Sequence, residues 1–290
     1  MSTQESIRNP QSAIRNSTVR VRMAPSPTGM FHVGSARTAL FNFLFARHHG
    51  GAFVLRVEDT DAQRNDPEFE KVIYQAMDWL GLQADEGPQS GGEFGPYRQS
   101  ERFDIYREYS NQLLASGAAY KAYETPEELA AMKEEQAKQK LPPRYNGAHR
   151  DLTAEERAAF EAEGRKAVIR FRVPEGETGW TDLVRGDVKW QNKEIDDFVI
   201  GKSDGSPTYN FACVIDDALM KISHVIRGED GLSNTPRQIM IYNALGLQVP
   251  QFAHLPFLLG RDRSKLSKRH GPVSLLDYRD NGILPDAMFN

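Results

Sequence analysis

Arg22-Met23-Ala24-Pro25-Ser26-Pro27-Thr28-Gly29-Met30-Phe31-His32-Val33-Gly34-Ser35 is the stretch whose reading decides the fold. It closes a β-branched run, Thr18 to Ala24, that reads as a buried strand. Pro25 and Pro27 have no amide to give a sheet, so the strand must stop there. Beyond the turn, from Gly34 to about His49, Leu40, Phe41, Leu44 and Phe45 recur at helical spacing, and Gly50-Gly51 ends the run. The pattern is strand, turn, helix, with a histidine and a glycine at the helix mouth. Helix starts carry unpaired N–H groups and partial positive charge, which suit phosphate. This predicts a nucleotide site in a parallel α/β fold. The same residues also fit an ordinary βα turn with an incidental histidine.

Outward from that turn, Phe53 to Val57 reads as a second strand ending in Glu58-Asp59-Thr60-Asp61. Acids at the carboxyl end of a parallel strand sit where such sheets bind ligands, although a solvated acidic turn would look alike. A helix is expected from Pro67 to Leu80, a loop over 84–98, and an amphipathic helix from Ser100 to Ser116 with Phe103, Tyr106, Leu113 and Leu114 inward. Ala118 to Tyr123 reads as a strand, and Thr125-Pro126-Glu127-Glu128 as a capped helix start. Residues 127–166 read as two surface helices with a linker at Leu141-Pro142-Pro143. Val168 to Val173 alternates like a strand, Val168, Ile169 and Phe171 against Arg170 and Arg172. Short strands follow at Thr181 to Trp190 and Asp197 to Ile200. Composition shifts at both edges make residues 97–205 an inserted α+β domain, dividing the first domain into halves 18–96 and 206–275. In the second half, residues 203–218 read as a turn feeding a helix that returns the chain to the first sheet. Strands are expected at Ser223 to Arg227 and Ala253 to Leu259, flanking a helix from Thr235 to Leu245. A basic loop, Gly260 to Gly271, comes next, and a helix has just begun at Leu284-Pro285 when the chain ends at Asn290.

Composition narrows the function. The chain has 290 residues, 39% hydrophobic and 26% charged, with a formal net charge of −4. Any nucleic acid must therefore be held by local basic patches. The single cysteine, Cys213, excludes an intramolecular disulfide and a cysteine-rich zinc site, and fits a reducing cytoplasm. Residues 1–17 are polar and read as a disordered extension, and Ala39 to Ala46 is too short to span a bilayer. His48, His49, His224, His254 and His270 show no ligand spacing and receive no role.

At this point separate stretches converge on one family. His32-Val33-Gly34-Ser35 resembles the HIGH signature of class I aminoacyl-tRNA synthetases, and Lys265-Leu266-Ser267-Lys268-Arg269 resembles their KMSKS signature. Together with Arg22–Gly29, Arg56–Asp61, Gly95–Arg102, Lys202–Tyr209 and Arg227–Asp230, the chain resembles the bacterial-type glutamyl-tRNA synthetases over residues 19–290. The resemblance implies a Rossmann-type (HUP-like) parallel-sheet catalytic domain whose insertion, 97–205, grips the tRNA acceptor end. Residues 276–290 would begin a stem-contact region, and full-length members continue into a helical anticodon-binding domain. The implied reaction joins L-glutamate to tRNA-Glu through a glutamyl adenylate, consuming ATP with Mg²⁺ held chiefly by phosphates and water.

By the same resemblance His32, Lys265 and Lys268 are the catalytic residues. His32, Gly34, Ser35, Lys265, Ser267 and Lys268 bind ATP, the lysines at the β,γ-phosphates. Arg22 pairs with the glutamate side-chain carboxylate, Glu58 faces the ammonium, and Ala24, Ser26, Tyr209 and Arg227 line the same pocket. Cys213 stands where part of the family carries Asn. Some relatives hold zinc on cysteines in the insertion. Ala118–Glu124 has none, so neither zinc nor any other protein-held metal is expected. The implied partners are tRNA-Glu, glutamate and ATP, without a membrane, in a cytoplasmic monomer. Two other readings remain: a glutamyl-queuosine tRNA-Asp synthetase, which is naturally short, and a truncated acceptor-binding fragment with little activity. Glutaminyl-tRNA synthetase fits less well, since Pro25-Ser26-Pro27 stands where that family reads Pro-Glu-Pro.

Overall fold

The computed structural model describes residues 19–61, 63–260, 262–263 and 274–289. Strand β1 (Arg20–Met23) pairs in parallel with β2 (Ala52–Leu55), and β8 (His224–Gly228) pairs in parallel with β9 (Gln251–Leu255). The two pairs meet where Ser223 N donates to Arg20 O at 2.9 Å. Along each strand the side chains alternate between two cores. Val19, Val21, Met23, Phe53, Leu55, Ile226, Ala253 and Leu255 fill one face, under α1 (Val33–His48) and α2 (Pro67–Trp79). Val54, Val225 and Phe252 face the other, with α3 (Phe103–Ala115), α6 (Tyr209–Leu219) and α7 (Thr235–Ala244). Helices on both faces of a parallel sheet give the Rossmann-type architecture expected from the opening turn. The alternation also throws Arg20 and Arg22 to the second face, away from the apolar side of β1.

The inner face of α1 differs from the expectation. Phe41 and Leu44 are exposed, Leu40 and Phe45 half-buried, and the buried positions are Ala36, Ala39, Asn42 and Ala46. The helix lies too close to β1 and β8 for large side chains, so size rather than hydrophobicity selects the face. Asn42 bonds the helix to the sheet, donating to Ile226 O at 2.9 Å and to Thr38 O at 2.8 Å. Asn42→Ala is expected to cost about 1–3 kcal/mol in urea unfolding, the value of a buried carbonyl left without its donor. An unchanged midpoint would contradict that assignment. The helix ends in a Schellman turn, with Gly50 at φ +60°, Gly50 N on Arg47 O and Gly51 N on Ala46 O.

Between β2 and β8 in the chain, β3 (Ala119–Ala122), β4 (Val168–Phe171) and β7 (Val199–Gly201) form an antiparallel sheet in the order β3-β4-β7. α4 (Pro126–Lys138) and α5 (Ala154–Ala162) each begin with a complete capping box and bury no residue, as surface helices should. Three expectations shift here. The helix begins at Phe103, after a 3₁₀ turn at Gln99–Glu101, and Phe103 points outward while Arg102 is buried. Arg170 is also buried, its guanidinium 3.6 Å from the Tyr145 ring centre and bonded to Asp197 O at 2.8 Å. β9 stops at Leu255, because Pro256 has no amide to continue it.

The antiparallel hairpin β5 (Glu177–Asp182) and β6 (Gly186–Gln191) turns back onto the parallel sheet. Leu183 N donates to Phe252 O at 2.9 Å, and Arg185 pairs with Glu229 at 2.6 Å. Short helices α8 (Leu275–Asp280) and α9 (Pro285–Met288) follow, with Leu275 N bonded to Phe31 O in the opening turn.

Candidate active site

A cavity of about 770 Å³ opens at the carboxyl ends of β1 and β8, between the β1–α1 turn, the loop after β2 and the start of α6. It is lined by Arg22, Ala24, Ser26, His32, Gly34, Ser35, Glu58, Tyr209 and Arg227. These residues, distant in sequence, are thus brought to one wall-to-wall site. Lys265, Ser267 and Lys268 lie outside the described residues, as does the 1–17 extension.

Arg22 reaches the cavity floor because β1 turns it toward α6. Its Nε donates to Asp217 Oδ1 at 3.0 Å and its Nη2 to Asp217 Oδ2 at 3.3 Å. Asp217 therefore takes one edge of the fork and fixes its plane, leaving the Nη1 edge for a ligand. Arg56, fully buried, braces the same acid from Nη1 at 2.6 Å and donates from Nη2 to Glu58 Oε1 at 2.9 Å. Asp216, one residue earlier, accepts from Arg102 Nε, Tyr106 Oη and Gln99 Nε2. Burial would raise the Asp217 carboxyl, but Arg22 and Arg56 outweigh it and hold it at about 2. Glu58 goes the other way: burial raises it and Arg56 only partly opposes. Cys213 Sγ sits in this network, 3.5 Å from Asp217 Oδ2, as a weak bonding group behind Arg22.

Arg56, Arg102, Asp216 and Asp217 were not singled out as site residues from the sequence. The signal was present in Phe211-Ala212-Cys213-Val214-Ile215-Asp216-Asp217, where two acids interrupt an apolar helix with no other charge beside them. Acids buried in such a helix demand cations from elsewhere.

Arg227 is 7% exposed. Its Nε donates to His254 Nε2 at 3.1 Å, its Nη2 to Thr235 Oγ1 at 2.8 Å and its Nη1 to Tyr209 Oη at 3.4 Å. All three acceptors are neutral, and among the described residues Arg227 makes no ion pair. Gly231 allows this placement, since a Cβ there would stand 2.5 Å from Arg227 Nε. A buried guanidinium that borders a cavity without a carboxylate partner is prepared for an anion.

His32 caps α1, its Nδ1 accepting from Ser35 N at 3.1 Å and its Nε2 lying 3.2 Å from Ser35 Oγ. A Cβ on Gly34 would stand 3.0 Å from the imidazole, so this glycine lets the ring fold back over the helix mouth. The first turn of α1 contains no acid to compete with a bound anion. The cavity thus has guanidinium groups on its floor and a helix start at its rim, an arrangement that can hold a carboxylate beside a phosphate.

Residues 18–290 match the family model for the catalytic domain of class I tRNA synthetases (E and Q). The chain is 57% identical over 272 residues to the glutamate–tRNA ligase of Natranaerobius thermophilus, an alignment covering 93% of this chain and 56% of that protein. It is 56% identical over 274 residues to the glutamate–tRNA ligase of Symbiobacterium thermophilum, covering 94% and 57%. Among solved structures it matches a glutamate tRNA ligase from Elizabethkingia meningosepticum, crystallised in complex with its amino acid. That match has a TM-score of 0.89 and 41% identity, over 94% of this chain and 60% of the other. The chain spans little more than half the length of the curated relatives it matches.

Proposed function

This chain belongs to the class I tRNA synthetases (E and Q), and on that premise we propose that it joins L-glutamate to tRNA-Glu through a glutamyl adenylate. The observation that carries the reading is the pair of cavity arginines. Among the described residues Arg227 has neutral partners alone, and Arg22 keeps one edge open after Asp217 has fixed the other. Glutamate brings two carboxylates to such a floor, and Glu58 offers its ammonium a counter-charge. Glutamine would set a neutral amide against a buried guanidinium, an unpaired cation costing about 3–5 kcal/mol. The names and identities of the relatives favour this reading over the queuosine-type and acceptor-fragment alternatives.

Activation needs no general base, because the nucleophile is already ionised. An α-carboxylate oxygen attacks the α-phosphorus of ATP, the bond to the bridging oxygen breaks, and pyrophosphate leaves. A hydroxyl of the terminal adenosine then attacks the acyl carbon, the bond to the phosphate oxygen breaks, and AMP departs with the hydroxyl proton. The protein's task is alignment and charge neutralisation. His32, Gly34 and Ser35 serve the α-phosphate side. Lys265, Ser267 and Lys268 serve the β,γ-phosphates. Ala24, Ser26 and Tyr209 shape the amino-acid pocket. Mg²⁺ accompanies ATP, and the amide, imidazole and hydroxyl groups at the α1 mouth fit a metal held by phosphates rather than by carboxylates. Residues 97–205 would receive the tRNA acceptor end, residues 18–96 and 206–275 the chemistry, and 276–290 the start of the stem contact, in a cytoplasmic monomer. Among the described residues no helix is long and apolar enough to cross a membrane.

The test is ATP–pyrophosphate exchange by this chain. Exchange driven by glutamate, and strengthened by tRNA-Glu, is expected. Exchange driven by glutamine, or glutamate activation without tRNA followed by transfer to tRNA-Asp, would overturn the proposal.

A further inference from the structure

We propose that Asp182 and His254 are positioning residues of the amino-acid site, through which the β5–β6 hairpin holds the Arg227 guanidinium toward the cavity. The inference rests on the reading of Arg227 as a carboxylate partner. Asp182 closes β5 and is buried. Its Oδ1 accepts from the backbone N–H groups of Val184 and Arg185, each at 3.0 Å, and of His254 at 3.1 Å. Its Oδ2 lies 2.5 Å from His254 Nδ1. An acid that only accepts requires the proton on Nδ1. The imidazole, fully buried on β9, then presents the Nε2 lone pair to Arg227 Nε. Burial keeps His254 below its usual range despite the pull of Asp182, so the ring stays neutral beside Arg227.

The directionality is complete. Asp182 accepts from the imidazole, the imidazole accepts from the guanidinium, and Thr235 Oγ1 accepts at the third corner. A single tautomer satisfies every bond. The opposite one would set Nε2–H against the Nε–H of Arg227 and push the fork away. Leu183 N on Phe252 O and the Arg185–Glu229 pair tie down the turn directly after Asp182, which holds the acid in place if the ring shifts. The hairpin thereby reaches the amino-acid pocket without lining it.

Asp182→Asn tests this with little change of volume. The amide oxygen can keep the three backbone N–H groups, and the amide N–H₂ then faces Nδ1, forcing the proton to Nε2. Nitrogen-15 NMR of labelled histidine is expected to show Nδ1–H for His254 in the wild type and Nε2–H in the variant. Glutamate affinity by calorimetry is expected to fall about tenfold, the scale of one misaligned charge-assisted bond, while ATP affinity holds. His254→Gln, whose amide oxygen falls near the Nε2 position, should retain more glutamate affinity than His254→Asn. An unchanged tautomer, an unchanged glutamate affinity, or equal losses for glutamate and ATP would each overturn the inference. A wild type that binds ATP but not glutamate, with the tautomer switch intact, would overturn the proposed function and leave the relay standing.

Discussion

Arg227→Gln is expected to lower kcat/KM for glutamate in pyrophosphate exchange by about two to four powers of ten and to leave thermal stability almost unchanged. The two halves of that result have one cause. Among the described residues Arg227 bonds to His254, Thr235 and Tyr209, all neutral, and makes no ion pair, so its removal strands no buried charge there. A glutamine side chain still supplies a donor for Thr235. In the complex the substrate carboxylate loses its cation inside a cavity, which costs about 3–5 kcal/mol, or roughly two to four powers of ten. Arg227→Lys should fare little better, because one ammonium cannot serve three corners and a ligand from a single fork. Were Arg227 a strand-end ion pair instead, the order would reverse. Melting would fall and kcat/KM would hold. Differential scanning calorimetry beside exchange kinetics distinguishes the two.

What the sequence disclosed follows the range over which each signal acts. The opening turn was legible because Pro25 and Pro27 forbid a strand locally, whatever surrounds them. The parallel sheet followed from strand and helix spacing. The inward face of α1 was not legible. Periodicity ranks Phe41 and Leu44 above Ala36 and Ala39, whereas the distance from helix to sheet, which no local pattern records, admits only the small residues. The arginine and acid pairs were hidden for a similar reason. Arg56 meets its partner Asp217 across 161 positions, and His254 meets Asp182 across 72. His254 has no ligand spacing because it is no ligand. It acts by turning one nitrogen to each neighbour, a property of three strands assembled together. Arg22 and Arg227 were found only through the resemblance, since an arginine at the end of a strand has by itself no distinguishing pattern.

Asp217→Asn carries the second large effect, on stability rather than binding. Behind the cavity floor, the guanidinium groups of Arg22, Arg56 and Arg102 face the carboxylates of Glu58, Asp216 and Asp217. Asp217 serves two of the cations, at 3.0 Å from Arg22 and 2.6 Å from Arg56. Its neutralisation leaves a buried excess of positive charge, and the expected loss at pH 7 is about 3–5 kcal/mol in urea unfolding. The acid limb identifies the group. Its ordinary value is 3.8 and its value in the fold about 2, so between these pH values the unfolded chain binds more protons than the native one. The stabilisation is therefore complete above about pH 4 and disappears as pH falls toward 2. Glu58 and Asp216, raised by burial, act in the opposite sense: acidification relieves them before the unfolded chain titrates. The wild type should lose stability below pH 4 more steeply than Asp217→Asn, whose unfolding free energy should be flatter there. Equal slopes would remove Asp217 from its place at the centre of the network. The variant should also bind glutamate more weakly, because Asp217 sets the plane of Arg22. The acid thus fixes one fork by direct contact, as His254 fixes the other, and only at Asp217 does the same contact carry the fold.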